Sequence, residues 1–475
     1  MRRVLIVVLV LAVAAGGGVA TYLLLSRPTH GGPSSGPASS PTATASAPPA
    51  LPSRAPVLTG LTAPATRPQP AAVAAALRRP ATAKALGKRL YGEAIDVTTG
   101  QVLWNDQDQS AAPPASTAKL LTAVAALTVL GPDQHLQTRV VRRGRTIWLV
   151  GGGDVTWGTP EHPPASAGVP SPSVAYPVAA SVSDLAGQTV RALRGAGVRS
   201  VRLDLDDTAE SGPVLAPGWK ASYLSEGDVA APSALEVDEG RVAPGAVGRV
   251  GDPTTAAGAT FATALSRRGI TVKGSPAVKP APSSAQPVAD VDSPTIAALV
   301  QQMLTVSDDD LAEALARAVA RAGGRPGTFA AGAKAVLAAD RAAGVDTTGV
   351  RLVDGSGLSR DDRVRPANLE SLLRIVGLGR DPRLAAISEG LPIAGFSGTL
   401  ADRYEEPPQH AGAGIVRAKT GTLDGVSALA GLVVDRSGDL LSFALLASRT
   451  KGAYLAEPAL DRIAATLATC GCRAP

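Results

Sequence analysis

The sequence predicts an α/β chain of the α+β kind, with an antiparallel sheet flanked by helices, a helical subdomain and an inserted α+β region. Three observations carry this. First, residues 91–97 and 101–104 alternate as two short strands about the turn Thr98-Thr99-Gly100, and the pair runs into a helix-forming stretch over residues 117–130. Second, residues 415–419, 426–434 and 440–447 form three strand-like runs near the C-terminus, the last two joined by the turn Arg436-Ser437-Gly438-Asp439 and followed by a helix over 453–469. Third, the region between changes character, with short strands, isolated helices and Pro-rich stretches. At 475 residues and 45% hydrophobic, the chain is long enough for two or three domains around a large core.

Taken in order, Arg2 and Arg3 precede an apolar run over residues 4–25. A tilted membrane span takes about 20 apolar residues, so this run fits an uncleaved anchor better than the shorter core of a cleaved signal. The arginines would stay in the cytoplasm and the rest of the chain outside it. The alternative is secretion after cleavage, with Ala12-Val13-Ala14 as a mimic of a cleavage site. Residues 26–70 are rich in Pro, Ser, Ala, Thr and Gly and read as a linker that cannot bury enough apolar surface to fold. Folded structure is expected from residue 71, with a helical stretch to 89 that Pro80 breaks or kinks.

Residues 71–134 form the first part of the main domain, and 135–290 the inserted region. There, 137–142 and 145–150 read as a hairpin around Arg143-Gly144, 198–205 and 233–237 as strands, and 254–268 as a helix. Residues 155–180 and 276–287 read as loose, Pro-rich connections. Gly151-Gly152-Gly153-Asp154 resembles a phosphate loop only superficially, because no helix signal follows, and it reads as a turn. The main domain resumes over 291–475. Ser293-Pro294 reads as a helix start, with serine as cap and proline in the first turn. A second helix over 308–322 carries Leu311, Leu315 and Val319 on one face.

Composition excludes several functions. Aromatic residues are 3% of the chain, which argues against stacking platforms and nucleic acid. The net charge is +6, but the arginines are scattered along the sequence and form no basic stripe. The four histidines have no metal spacing, so neither a metal site nor a Ser-His-Asp triad is supported, and no cofactor is called for. The two cysteines, Cys470 and Cys472, sit one residue apart. A bridge there is tight, and free thiols or partners elsewhere fit the sequence equally.

The chemistry gathers at Pro114-Ala115-Ser116-Thr117-Ala118-Lys119. Ser116 falls at the start of a helix and Lys119 three residues on, on the same face. An amine held beside a hydroxyl and partly desolvated can lose its proton and then take the serine's. Two later stretches complete a set: Ser307-Asp308-Asp309 between two helices, and Lys419-Thr420-Gly421-Thr422 on a strand. Ser307 also has the makings of a helix N-cap, and Asp354-Gly355-Ser356-Gly357 those of a turn.

Ser-x-x-Lys, Ser-Asp-Asn and Lys-Thr-Gly in that order mark penicillin-binding proteins and β-lactamases. The sequence resembles the low-molecular-mass class C penicillin-binding proteins, the D-alanyl-D-alanine carboxypeptidase/endopeptidase family of penicillin-binding protein four type, in an actinobacterial form. The stretches Leu149-Val150-Gly151-Gly152-Gly153-Asp154, Leu215-Ala216-Pro217-Gly218-Trp219 and Asp354-Gly355-Ser356-Gly357-Leu358-Ser359-Arg360 extend the resemblance. It implies a β-lactamase/transpeptidase-like fold, with peptidoglycan stem peptides as substrates and β-lactams as inhibitors. It implies Ser116 as nucleophile, Lys119 as base, Ser307 as proton relay and Lys419 as tuner of the local charge. Thr420, Gly421 and Thr422 would line the substrate strand, with the N–H groups of Ser116 and Thr422 as oxyanion hole. One position departs: the family has asparagine where this chain has Asp309. A carboxylate accepts hydrogen bonds but donates none, so a weakly active or merely penicillin-binding protein is the alternative.

Overall fold

Two sheets organise the computed structural model, which describes residues 67–158 and 180–472 apart from 88, 244 and 245. The first part holds helix α1 (Pro70–Ala81), the hairpin β1 (Arg89–Asp96) and β2 (Val102–Asp106), and helix α2 (Lys119–Val129). Then follow β3 (His135–Arg143), β4 (Thr146–Val150), α3 (Val182–Gly195), β5 (Ser200–Asp206) and α4 (Ser222–Glu226). Helix α5 (Pro253–Arg267), the two-residue strands β6 (Thr271–Val272) and β7 (Ala277–Val278), and β8 (Gln286–Thr295) complete the middle. The last part holds α6 (Ile296–Thr305), α7 (Asp309–Ala322), α8 (Phe329–Ala342), α9 (Pro366–Leu378) and α10 (Ala385–Gly390). Strands β9 (Arg417–Leu423), β10 (Val426–Val434) and β11 (Leu440–Ser448) and helix α11 (Ala453–Thr469) end it.

The first sheet is antiparallel with strand order β2-β1-β11-β10-β9. Its central strands are apolar on both faces because both faces are covered. Alternate residues of β10 serve two cores, as the strand period of two requires. Ala428, Ala430 and Leu432 face α2, α6, α7 and α9, where Leu120, Leu299, Leu315 and Leu372 are buried. Leu429 and Val433 face α1 and α11, with Val73, Leu77, Leu460 and Ile463. Strand β9 lies at the edge, and Pro392–Ala394 cover only its first residues through Ala418 N–H to Pro392 O and Ala394 N–H to Val416 O.

The second sheet takes all its strands from residues 135–295, in the order β6-β5-β4-β3-β8, with β7 also paired to β5. Strands β4, β5 and β6 run parallel, and α3 and α5 cover one face, burying Leu185, Leu193, Phe261 and Leu265 against Ile147, Leu149 and Leu203. The chain enters and leaves this region side by side, where His135 of β3 pairs with Thr295 of β8. A network of arginines and largely buried carboxyl groups ties it to α7. Arg249 bonds Asp310 at 2.9 Å, Arg241 bonds Glu239 at 2.7 Å, and Arg321 bonds Glu210 at 3.3 Å.

Several elements differ from expectation, each for a local reason. Helix α1 starts at Pro70 and stops at Ala81, just past Pro80; Gln69 N–H donates to Cys472 O and Arg67 pairs with Asp96, so folded chain begins before residue 71. Ser293 does not cap a helix. Strand β8 continues through it to Thr295, whose Oγ1 accepts from Ala298 N–H, while Ser293 Oγ accepts from Leu136 N–H. Residues 233–237 form no strand, because Ala234 O accepts from Gly153 N–H in the three-glycine turn and Leu235 N–H is taken by Ser233 Oγ. Strand β9 starts at Arg417 and runs to Leu423, so Lys419-Thr420-Gly421 lies inside a strand, not at its end. Cys470 and Cys472 are bonded to each other. Among the described residues no helix is long and apolar enough to cross a membrane. The run over 4–25, the linker to residue 66 and most of the 155–180 connection lie outside the described residues.

Burial pushes Glu239 up to about 8 and both Asp310 and Glu313 up to about 7. Such acids keep their protons in the folded state while the unfolded chain loses them near pH 4. Their stabilising contribution is therefore complete below that pH and is lost as pH rises through 7 to 8. Thermal denaturation should show a lower midpoint at pH 8.5 than at pH 5.5; a flat or rising profile would contradict this.

Candidate active site

Helix α2 is preceded by a 3₁₀ turn, Ala115–Ala118, and Ser116 sits in that turn, half-buried. Ala115 takes a φ of +47°, a left-handed conformation that costs a residue with a side chain energy and persists only when neighbours hold it. Two glycines hold it. A Cβ on Gly421 would lie 2.9 Å from Pro114 O and 3.0 Å from Ser116 N, so β9 approaches the turn as closely as backbone allows. A Cβ on Gly357, where φ is +84°, would lie 2.0 Å from Ala115 O. The glycines thus let Lys419-Thr420-Gly421 and Asp354-Gly355-Ser356-Gly357 press on the serine turn from two sides.

Lys119 is wholly buried, and its Nζ meets three oxygens. Ser116 Oγ lies at 3.0 Å, Asp309 Oδ1 at 2.6 Å and the carbonyl of Ser356 at 2.8 Å. An ammonium satisfies this set with three donated hydrogens. A neutral amine satisfies it equally, with two N–H groups toward Asp309 and Ser356 and its lone pair toward Ser116. The site geometry therefore accommodates both members of a proton transfer without rearrangement. The Ser356 carbonyl is itself fixed: Glu313 Oε1 accepts from the N–H groups of Gly355 at 3.0 Å and Ser356 at 2.9 Å, and Thr122 Oγ1 donates to Gly355 O at 2.6 Å.

Asp309 opens helix α7, after Asp308 caps it by accepting from Leu311 N–H at 2.9 Å. Ser307 is therefore not the cap; it is half-buried, with φ at +62°, and lines the cleft with Ser116. Burial raises the Asp309 carboxyl above its ordinary value, and the charge of Lys119 pulls it back. Lys419, fully buried on β9, donates to Thr420 O at 2.8 Å. Burial, reinforced by the neighbouring charge of Lys119, holds its ammonium well below the ordinary value.

The cleft has two lobes that share Ser116, Asp309 and Thr422. One, of about 320 Å³, is lined by Ser307, Thr399, Arg403, Thr420, Gly421 and Glu457. Here Thr399 and Thr420 share a hydrogen bond at 2.7 Å and Thr422 Oγ1 donates to Glu457 Oε1 at 2.8 Å. The other, of about 500 Å³, reaches the inserted region at Lys220, Tyr223 and Asp228, and Lys220 pairs with Asp424 across it. The fold thus brings together all eight residues singled out in the sequence: Ser116, Lys119, Ser307, Asp309, Lys419, Thr420, Gly421 and Thr422. Sequence reading missed the Ser356 carbonyl, Glu313, Thr399, Arg403 and Glu457. Thr399, Arg403 and Glu457 carry no local signal; Ser356 lies in a stretch the sequence marks as a turn, but its contact with Lys119 is made only by the fold.

The chain matches the D-Ala-D-Ala carboxypeptidase 3 (S13) family over residues 72–248 and 244–467. It is 37% identical over 425 residues to a carboxypeptidase DacB of Mycolicibacterium smegmatis, covering 88% of each chain. To a D-alanyl-D-alanine carboxypeptidase of an Actinomadura species it is 30% identical over 411 residues, covering 73% of this chain and 75% of the relative. Among solved structures, penicillin binding protein 4 of Haemophilus influenzae shares the fold, with a TM-score of 0.67 at 22% identity over 83% of this chain and 98% of that one.

The close approach at Gly421 yields a direct test. Gly421→Ala should push β9 off the serine turn, cost about 1–3 kcal/mol of stability, and slow labelling of Ser116 by a fluorescent penicillin at least about ten-fold. Labelling at the unsubstituted rate would show that the approach is not needed.

Proposed function

This chain belongs to the D-Ala-D-Ala carboxypeptidase 3 (S13) family, and from that premise we propose how its own residues perform serine D,D-carboxypeptidase chemistry on peptidoglycan stem peptides. The observation that carries the assignment is the contact of Lys119 Nζ with Ser116 Oγ at 3.0 Å, in a buried pocket closed by the two other motifs. The substrate lies along the open edge of β9 beyond Ala418, adding a short strand by backbone hydrogen bonds. Ser116 Oγ attacks the carbonyl between the two D-alanines as Lys119 Nζ takes its proton. The N–H groups of Ser116 and Thr422 stabilise the oxyanion, each worth about 3–4 kcal/mol of barrier. Ser307 passes the proton to the leaving amine, and the acyl-enzyme on Ser116 remains. Water, activated by the same lysine, then releases the acyl group. Thr420 and Thr422 hold the terminal carboxylate, and Lys419 tunes the local charge beside it. A β-lactam follows the same path and leaves slowly. Cleavage of cross-links between stem peptides, an endopeptidase reaction, uses the same atoms.

A second reading, slow turnover, is supported by the 2.6 Å contact between Lys119 and Asp309. A carboxylate there competes with Ser116 for the hydrogens of the amine and, unlike an amide, donates none to a substrate. Placement outside the cytoplasm, with residues 4–25 as a membrane anchor, is part of the same proposal and is supported by the apolar run alone. Cleavage of that run and secretion is its alternative.

A fluorescent penicillin should label the protein covalently at Ser116 and nowhere else. Ser116→Ala should abolish both the label and the release of D-alanine from a pentapeptide ending in D-Ala-D-Ala; label mapped to another serine would refute the assignment. Asp309→Asn removes the carboxylate from Lys119 and restores an amide donor, and should raise the acylation rate at pH 7 by roughly ten-fold, about 1.4 kcal/mol of barrier. Equal rates at pH 7 would mean that Asp309 is itself neutral.

A further inference from the structure

The arginines that look scattered in the sequence are partly gathered by the fold. Strands β4, β5 and β6 run parallel, so they begin at the same end of the second sheet, and α3 and α5 finish there. Three segments meet at this end: the β3–β4 turn at 142–146, the α3–β5 connection at 191–202 and the α5–β6 connection at 267–274. None contains an aspartate, a glutamate or an aromatic residue, and each carries three or four arginines or lysines. Backbone hydrogen bonds join them: Arg202 N–H to Arg145 O at 2.9 Å, Thr271 N–H to Arg199 O at 3.0 Å, and Lys273 N–H to Val201 O at 2.8 Å.

Two of these cations have a structural task. Arg194 donates to Arg268 O, and Arg268 donates to Ala264 O and Ser183 Oγ, so both finish helix ends. Six others, Arg143, Arg145, Arg199, Arg202, Arg267 and Lys273, are exposed and make no ion pair among the described residues. Acids of this region lie elsewhere: Asp252 capping α5 and Asp206 ending β5 mark the opposite end, and Asp184 lies in the first turn of α3, beside the Ser183 that Arg268 reaches. A cluster of unpaired like charges weakens the fold by self-repulsion unless something of opposite charge meets it.

We propose that this end of the inserted region docks on an anionic phospholipid bilayer. Clusters of several lysines and arginines beside a membrane segment bind anionic lipid headgroups. The absence of aromatic side chains from the three segments removes the stacking that a nucleic acid partner would use. A bilayer is favoured over a soluble polyanion by the rest of the chain. By composition the run over 4–25 reads as a membrane anchor and the Pro- and Ser-rich residues after it as a linker, and a linker of about 40 residues would span about 35 Å, within which a weak charged contact forms readily. The catalytic body joins the sheet at the far end, where His135 pairs with Thr295. Strand β3 spans about 30 Å, so docking holds the cleft well clear of the headgroups.

The test uses the full chain in proteoliposomes, with a dye on Ser266→Cys in the last turn of α5 and a lipid-borne quencher. Quenching should be at least about three-fold stronger in vesicles containing phosphatidylglycerol than in phosphatidylcholine alone. It should fade in 1 M salt, where the screening length falls to about 3 Å. Replacing Arg143, Arg145, Arg199 and Arg202 by Glu should abolish the difference while penicillin labelling of Ser116 is retained. If the fourfold variant does not label, the Arg143→Glu, Arg145→Glu pair and the salt series decide. Quenching that is equal in both lipids and indifferent to salt overturns the proposal. So does a dye response to soluble poly(glycerol phosphate) with none to the anionic vesicles, which would assign the face to a polymer instead.

Discussion

One buried nitrogen holds the site together. Lys119 Nζ bonds an oxygen from each of three stretches of chain: Ser116 from its own turn, Asp309 from the start of α7 and Ser356 from the loop before α9. A lysine with no exposed surface is costly unless each of its hydrogens finds an acceptor. The fold meets that demand with oxygens that cannot move, since Glu313 and Thr122 fix the Ser356 loop and Asp308 fixes the start of α7. Reactivity and stability draw on the same contacts here: the atoms that keep the lysine buried also hold it beside the serine.

Backbone approach is the second constraint. The serine turn is left-handed at Ala115 and would relax if it were free to do so. Strand β9 and the Ser356 loop leave it no room, because glycines at 421 and 357 let main chain lie where a side chain would intrude. The sheet matters to the chemistry for this reason. It delivers an edge strand, open beyond Ala418, against a turn whose geometry depends on that contact.

Charge is distributed unevenly at every scale. Two lysines and one carboxylate share the centre of the site, and burial lowers Lys419 while it raises Asp309, so the pocket leans toward fewer formal charges. Behind it, the acids of α7 and the inserted region are only partly matched by Arg241, Arg249, Arg317 and Arg321. Among the described residues, the end of the second sheet where β4, β5 and β6 begin gathers arginines and lysines from three segments. The inserted region thus meets the catalytic body through pairs of both signs, Arg249 with Asp310 and Glu210 with Arg321, and turns arginines outward at its other end.

The sequence by itself determined the parts whose signal is local. Strand β10 and helix α11 fall where the apolar patterns put them, and the three motifs fall at a helix start, between two helices and on a strand, because their residue types and backbone setting are encoded within a few positions. It misjudged Ser293, since a ladder to β3 outweighs a favourable cap, and residues 233–237, since a strand without a partner is not a strand. Only the tertiary structure decided which oxygens meet Lys119, that Asp309 points at it, that Arg403 and Glu457 line the cleft, and that arginines distant in sequence share one face. Each of these is a distance between residues far apart in the chain, and such distances exist only once helices and sheets have packed.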